Sequence, residues 1–190
     1  MTFDIALNDP PQFRTAVRAL RRPMNRNVEA REPDSEDIAL GRKLVLRGDD
    51  HAKFARLIHV GFTIRAPRYW WIEYSTYSVG AASVSESTMH RKMSEPFVGS
   101  DFEDYSVPGD YLENLNTERR MYTIGHSNIA LLKGMIPESY LQTRDCCMSY
   151  QTLRRVYFAR KDHRLPHWQA FAKWIESLPH ADAWITASKV

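Results

Sequence analysis

Residues 60–66, VGFTIRA, alternate apolar and polar positions, the period of an extended strand with one buried face. Long stretches elsewhere follow helical spacing instead. Phe13, Val17 and Leu20 form an apolar stripe within residues 10–22, opened by Pro10 and Pro11 and flanked by a basic stripe of Arg14, Arg18, Arg21 and Arg22. That basic stripe is either a solvated face or a phosphate-facing one. Asp34-Ser35-Glu36-Asp37 opens a second helix carrying Ile38, Leu40, Leu44 and Val45, which ends near Gly48. Pro166 starts a last helix over 166–178 with Trp168, Phe171, Ala172, Ile175 and Leu178, and Pro179 stops it. This combination predicts an α+β class: a mostly helical single domain over residues 1–190 with a small sheet.

The remaining segments are read on the same grounds. Residues 26–32 read as a short strand, and 51–59 as a short helix. After Pro67, Tyr69, Trp70, Glu73, Tyr74 and Tyr77 fall at helical spacings and Gly80 closes the stretch. Residues 81–89, rich in Ser and Thr, should be extended or a loop. The polar segment 92–110 reads as a long loop, of the kind that carries function in compact domains. Residues 110–135 predict one long helix ended by Gly134 and Pro137, and 148–160 a further one.

Composition excludes several classes. With 43% hydrophobic residues the chain is not disordered, and it contains no run of 18 apolar residues to span a bilayer. The start, MTFDIALNDPPQF, places Asp4 where a secretory signal needs apolar residues. The two cysteines, Cys146 and Cys147, are adjacent and build no disulfide framework, which fits a reducing, cytoplasmic setting. A net charge of +3 does not mark a nucleic-acid binder. The 19 Arg against 7 Lys are more informative: the planar fork suits phosphate and carboxylate, although coding bias and solvated faces also explain the surplus.

No phosphate-binding glycine loop, HExxH or CxxC pair is present. His163 and His167 are four apart, but Pro166 lies between them and no third ligand is evident, so no metal site is expected. Cys146 and Cys147 read as buried bulk before they read as nucleophiles. The unusual segment is SVSESTMH, residues 83–90, with four hydroxyls, a carboxylate and an imidazole. Alternation would send Ser83, Ser85, Ser87 and Met89 one way and Val84, Glu86, Thr88 and His90 the other. Such a wall could bind sugar hydroxyls or phosphate; equally, it is a polar loop that satisfies itself. Trp70, Trp71 and Tyr74 could stack a base or pack a core or interface.

At this segment the chain resembles the flavin-dependent thymidylate synthases, whose signature is RHRxxSxNExSxR. With Glu86 on the signature glutamate, Ser83 and Thr88 fall on its serines, Ser85 on its asparagine and His90 on its last arginine. The RHR triplet falls on Ser78-Val79-Gly80 and is absent. A second block agrees: Pro137, Ser149 and Arg160 keep the intervals of twelve and eleven residues that join the family's proline, the asparagine of NxRSL and a later arginine. Leu153 sits on the leucine of that motif and Gln151 on its arginine. Asp162-His163-Arg164-Leu165 resembles the residues that follow, and 48–56 the turn upstream. The likeness covers residues 38–178 and is densest over 60–91 and 137–178. The motif-degenerate, helix-rich chain is also similar to bacteriophage-encoded members, for which the setting would be the host cytoplasm.

The resemblance implies a homotetramer with active sites between subunits, which binds FAD and dUMP and methylates dUMP with methylenetetrahydrofolate and NADPH. It makes Arg160 the catalytic arginine against the uracil ring, where a guanidinium stabilises developing negative charge. It implies substrate binding by Ser83, Glu86, Thr88, His90 and Gln151. It implies cofactor binding by Arg56, Ser78, Gly80 and Ser149. Ser-Val-Gly has no fork for a flavin diphosphate, which puts a conventional FAD site in question. Three functions are therefore carried forward: a divergent pyrimidine-nucleotide enzyme, a non-catalytic nucleotide-binding protein on the same fold, and an interaction protein whose pocket has closed.

Overall fold

The computed structural model describes residues 1–24 and 28–189. In chain order its elements are β1 (Asp4–Asp9), α1 (Arg14–Arg21), α2 (Ser35–Val45), β2 (His59–Pro67), α3 (Arg68–Tyr74), β3 (Ala81–Ser85) and α4 (Thr88–Ser94). There follow α5 (Gly109–Thr123), α6 (Ile129–Met135), β4 (Leu141–Ser149), α7 (Tyr150–Arg160), α8 (Pro166–Glu176) and α9 (Ala181–Trp184). The strands form one sheet in the order β1-β2-β4-β3. Backbone bonds pair residue 58 with 150 and 68 with 140 along β2 and β4, and 80 with 149 and 86 with 143 along β3 and β4, so both ladders are antiparallel. The expected class, mostly helix with a small antiparallel sheet, is the class observed.

The chain divides into two compact units. One comprises Met1–Asp4, Ile64–Thr76 and Val84–Arg144; the other comprises Ile5–Thr63, Tyr77–Ser83 and Asp145–Val190. The first has a core of Phe97, Phe102, Leu115, Leu132, Ile136 and Tyr140. Trp70, Trp71 and Tyr74 of α3 are buried in this unit too, which settles those aromatics as core and removes them as a base-stacking surface. Trp71 Nε1 donates to the carbonyls of Ala66 and Gln142, so the indole ties α3 to both flanking strands. The second unit buries the predicted stripe of α1, the inward face of β2 through Val60 and Phe62, and the apolar face of α8. Phe62 meets Phe171 and Trp174, while Trp184 of α9 meets Phe13 and Phe54.

Helix α2 starts where its acids predict. Asp34 caps it in a reciprocal capping box with Asp37, each side chain accepting from the other's backbone N–H. Asp37 is fully buried and also receives Arg21 at 2.6 Å and Arg31 at 2.7 Å. The basic stripe of α1 is thus partly consumed inside the protein, with Arg14 donating to the Ala30 carbonyl.

Five expectations need correction. Residues 26 and 27 of the expected 26–32 strand lie outside the described residues, and 28–32 form no strand. The single helix over 110–135 is two helices, because Gly125 takes φ +77° and Asn128 caps α6 by accepting from Leu131 N. Strands β1 and β4 were not expected, and residues 148 and 149 belong to β4 rather than to a helix. Of the expected helix over 51–59 only a 3-10 turn, Lys53–Leu57, is present, and His59 already begins β2. The loop at 92–110 begins as the end of α4 and is pinned by a buried pair, Lys92 Nζ to Asp101 at 2.5 Å. Among the described residues no helix is long and apolar enough to cross a membrane.

Candidate functional site

The polar segment does not continue as one strand. β3 ends at Ser85, and Ser87 caps α4 by accepting from His90 N at 3.3 Å. The alternation of residues 83–90 therefore breaks at the cap, and Ser85, Glu86, Ser87, Thr88 and Met89 turn together around one cavity of about 400 Å³. Arg68, Lys133, Ile136 and Gln142 complete its lining. Ser83 and His90 are exposed and do not line it. Glu86 is fixed: Oε1 accepts from Thr143 N at 3.0 Å and Oε2 lies 3.6 Å from Arg91. Arg68 is held by the Ile136 carbonyl at 3.1 Å and by Glu138 at 3.3 Å. Two cations and three hydroxyls around one carboxylate make a donor-rich recess for an oxyanion with sugar hydroxyls beside it.

A second recess, about 310 Å³, gathers four of the expected site residues: Arg56, Gly80, Ser149 and Gln151, with His59, Val79, Thr152 and Arg155. Gln151 is buried; its Oε1 accepts from Arg56 Nε at 2.5 Å and its Nε2 donates to the Asp49 carbonyl at 3.3 Å. Arg155 is held by Asp49 at 2.6 Å. Ser149 caps α7 by accepting from Thr152 N, and Cys147 Sγ lies 3.9 Å from His59 Nδ1. Ser78 is exposed in the preceding turn. The guanidinium groups of Arg56 and Arg155, with the His59 ring beside them, fit a diphosphate, although none of these groups comes from residues 78–80.

Gly80 stands where the structure has no room for a side chain. Its φ is +72°, and a Cβ there would stand 2.7 Å from Thr152 Oγ1 and 3.2 Å from Ser149 Oγ. Thr152 Oγ1 donates to the Val79 carbonyl at 2.8 Å, so the turn is packed on the start of α7. Gly80→Ala should destabilise the protein by about 2 kcal/mol, combining left-handed strain with displacement of Thr152. A urea melt checks this; an unchanged midpoint would show that the turn is free to move.

Arg160 ends α7. Its Nε donates to Tyr77 Oη at 2.7 Å, and its guanidinium lies 4.8 Å from the Trp168 ring and 5.6 Å from that of Tyr77. It is thus positioned by two aromatic rings, beyond the helix-end role its place in the sequence offers. His163 Nδ1 accepts from Leu165 N in the turn before α8, and His167 is buried on α8. Sequence reasoning missed Arg68, Lys133, His59 and Arg155. Arg68 directly follows Pro67 and was the nearest to detection; Lys133 had no local signal.

No family profile matches the chain, and no curated protein matches it in sequence. Its fold is nonetheless that of the flavin-dependent thymidylate synthases. The likeness extends to Thymidylate Synthase X (ThyX) from Helicobacter pylori, solved with FAD and dUMP: TM-score 0.73 and 16% identity, covering 97% of this chain and 98% of that one. It extends also to the UMP/dUMP methylase PolB from Streptomyces cacaoi, bound with 5-Br dUMP: TM-score 0.71 and 15% identity, covering 98% and 96%.

Proposed function

We propose that this protein binds dUMP or a related pyrimidine nucleotide in the recess at residues 85–89 and modifies it at C5 by flavin-dependent reductive methylation. The observation that carries this is the clustering of Ser85, Glu86, Ser87 and Thr88 with Arg68 and Lys133 around one cavity. Arg68 and Lys133 would take the phosphate, the hydroxyls the ribose and phosphate oxygens, and Glu86 a donor on the ligand. By the resemblance, Arg160, held by Tyr77 and Trp168 within its own unit, would be the arginine that stabilises negative charge on a uracil ring. The proteins with this fold solved with dUMP and 5-Br dUMP support the nucleotide class.

The second recess would hold the FAD diphosphate through Arg56, His59 and Arg155, with Gln151 keeping Arg56 in place. When bound, the flavin supplies hydride transfer, with NADPH as reductant and methylenetetrahydrofolate as carbon donor. In this reading the protein works as a cytoplasmic homotetramer.

A second reading, a nucleotide-binding protein without catalysis, is favoured by one observation: no cation stands at Ser78, Val79, Gly80 or Gln151. Titration calorimetry with dUMP, together with visible absorbance after FAD addition, separates the two. The enzyme predicts dUMP binding and a yellow protein; dUMP binding by a colourless protein leaves the second reading; no response to dUMP or UMP refutes both.

A further inference from the structure

A third cavity, of about 440 Å³, lies within the second unit alone and shares no lining residue with either recess. Its floor is apolar: Leu20 of α1, Leu40 and Leu44 of α2, and Phe54 of the 3-10 turn. Leu40 and Leu44 are four apart and share one face of their helix. Phe54 is buried, with its ring 5.4 Å from that of Trp184. The walls are tied together from behind, because Arg21, next to Leu20, reaches the buried Asp37 of α2 at 2.6 Å. The space between α1 and α2 is therefore preformed, and its volume falls in the range of small-molecule sites.

The rim carries charge. Lys43, Arg47 and Lys53 line the cavity, are exposed, and make no ion pair among the described residues. The C-terminal end of α2 favours cations and accounts for Lys43 and Arg47. It does not account for Lys53, which belongs to a different element and stands on the same rim. Asp50 is the only acid in the lining. Three cations against one carboxylate, above an apolar floor, select an occupant that is apolar at one end and anionic at the other.

We propose that this cavity binds a small amphipathic carboxylate. Its chain or ring fills the space between α1 and α2, and its carboxylate meets Lys43, Arg47 and Lys53. The site is independent of the proposed nucleotide and flavin sites, and stands if either of them fails.

The test is titration calorimetry of the full chain with decanoate, kept below the concentration at which it forms micelles. The parent protein is expected to bind it. Hexanoate should bind roughly tenfold more weakly or worse, because its shorter chain leaves part of the floor uncovered. Decanol should bind about tenfold more weakly, because it has no charge for the rim. Lys43→Ala and Lys53→Ala should each lose about fivefold to tenfold at an unchanged melting temperature, since both side chains are exposed. Lys173→Ala, on α8 and outside the lining, should bind as the parent protein does. No binding of decanoate, or parent-like affinity in both Lys43→Ala and Lys53→Ala, would overturn the proposal. Decanol binding as tightly as decanoate would leave the cations without a role and overturn it too. A last titration is made in the presence of FAD. Displacement of decanoate would give the cavity to the cofactor and refute a separate site, whereas unchanged decanoate affinity supports it.

Discussion

Lys133→Ala is expected to weaken dUMP binding by tenfold to more than a hundredfold while leaving the melting temperature unchanged. Lys133 is exposed on α6, lines the recess, and makes no ion pair among the described residues, so the fold has little to lose with it. A charge-assisted hydrogen bond to phosphate contributes about 1.5–3 kcal/mol, and 1.4 kcal/mol is a factor of ten in affinity. Arg68→Ala should weaken binding similarly, but it also removes the ties to the Ile136 carbonyl and to Glu138, so that variant should melt lower. The contrast between the two separates ligand recognition from wall construction. Raising the salt should weaken parent binding more than Lys133→Ala binding, because one phosphate contact is already gone. Calorimetry at two ionic strengths reads both effects. Equal affinity of Lys133→Ala and the parent protein would place the phosphate elsewhere.

Asp37→Ala carries the largest expected loss of stability, about 3 kcal/mol in a urea or thermal melt. The carboxylate is fully buried, receives two arginines, and closes the capping box of α2. Removing one member of a buried ion pair strands the others and costs more than the pair adds relative to apolar residues. Burial by itself raises the Asp37 carboxyl, but the Arg21 hydrogen bond, the Asp34 backbone N–H and the charges of Arg21 and Arg31 outweigh it and hold it below its ordinary value of 3.8. A lowered folded value makes the sign definite. The stabilisation is complete above the ordinary carboxylate value and is lost as pH falls through the lowered one. Asp37→Asn should therefore be less stable at neutral pH and show a flatter acid limb. An acid limb with parent slope in that variant would remove Asp37 as its source.

Local patterns carried the fold a long way. The alternation of β2, the acids that open α2, the apolar stripe of α1 and Pro166 at the start of α8 each place a residue type where one conformation suits it. β4 defeated that reasoning for a physical reason. It pairs with β2 and β3 inside the sheet, yet it reads LQTRDCCMS, with four polar or charged residues in its first half. Its polar side chains find partners distant in sequence: Asp145 accepts from Thr63 at 2.6 Å, and the Arg144 guanidinium lies 4.4 Å from the Trp71 ring. Those interactions replace the apolar period that marks a strand.

The intervals that join Pro137, Ser149 and Arg160, and those of the 83–90 segment, were enough to anticipate the fold, because spacing preserves the lengths of elements even where side chains have changed. The sequence by itself also showed that Ser78-Val79-Gly80, the residues the resemblance sets against the family's RHR triplet, carry no charge. Only the tertiary structure decided which charged and polar side chains stand near these residues. Arg56, His59 and Arg155 meet Gly80 in one recess, and Arg68 and Lys133 meet Thr88 in the other. Charge acts through space over a few ångströms, and that proximity is created by folding across tens of residues, so no count of arginines along the chain could have located it.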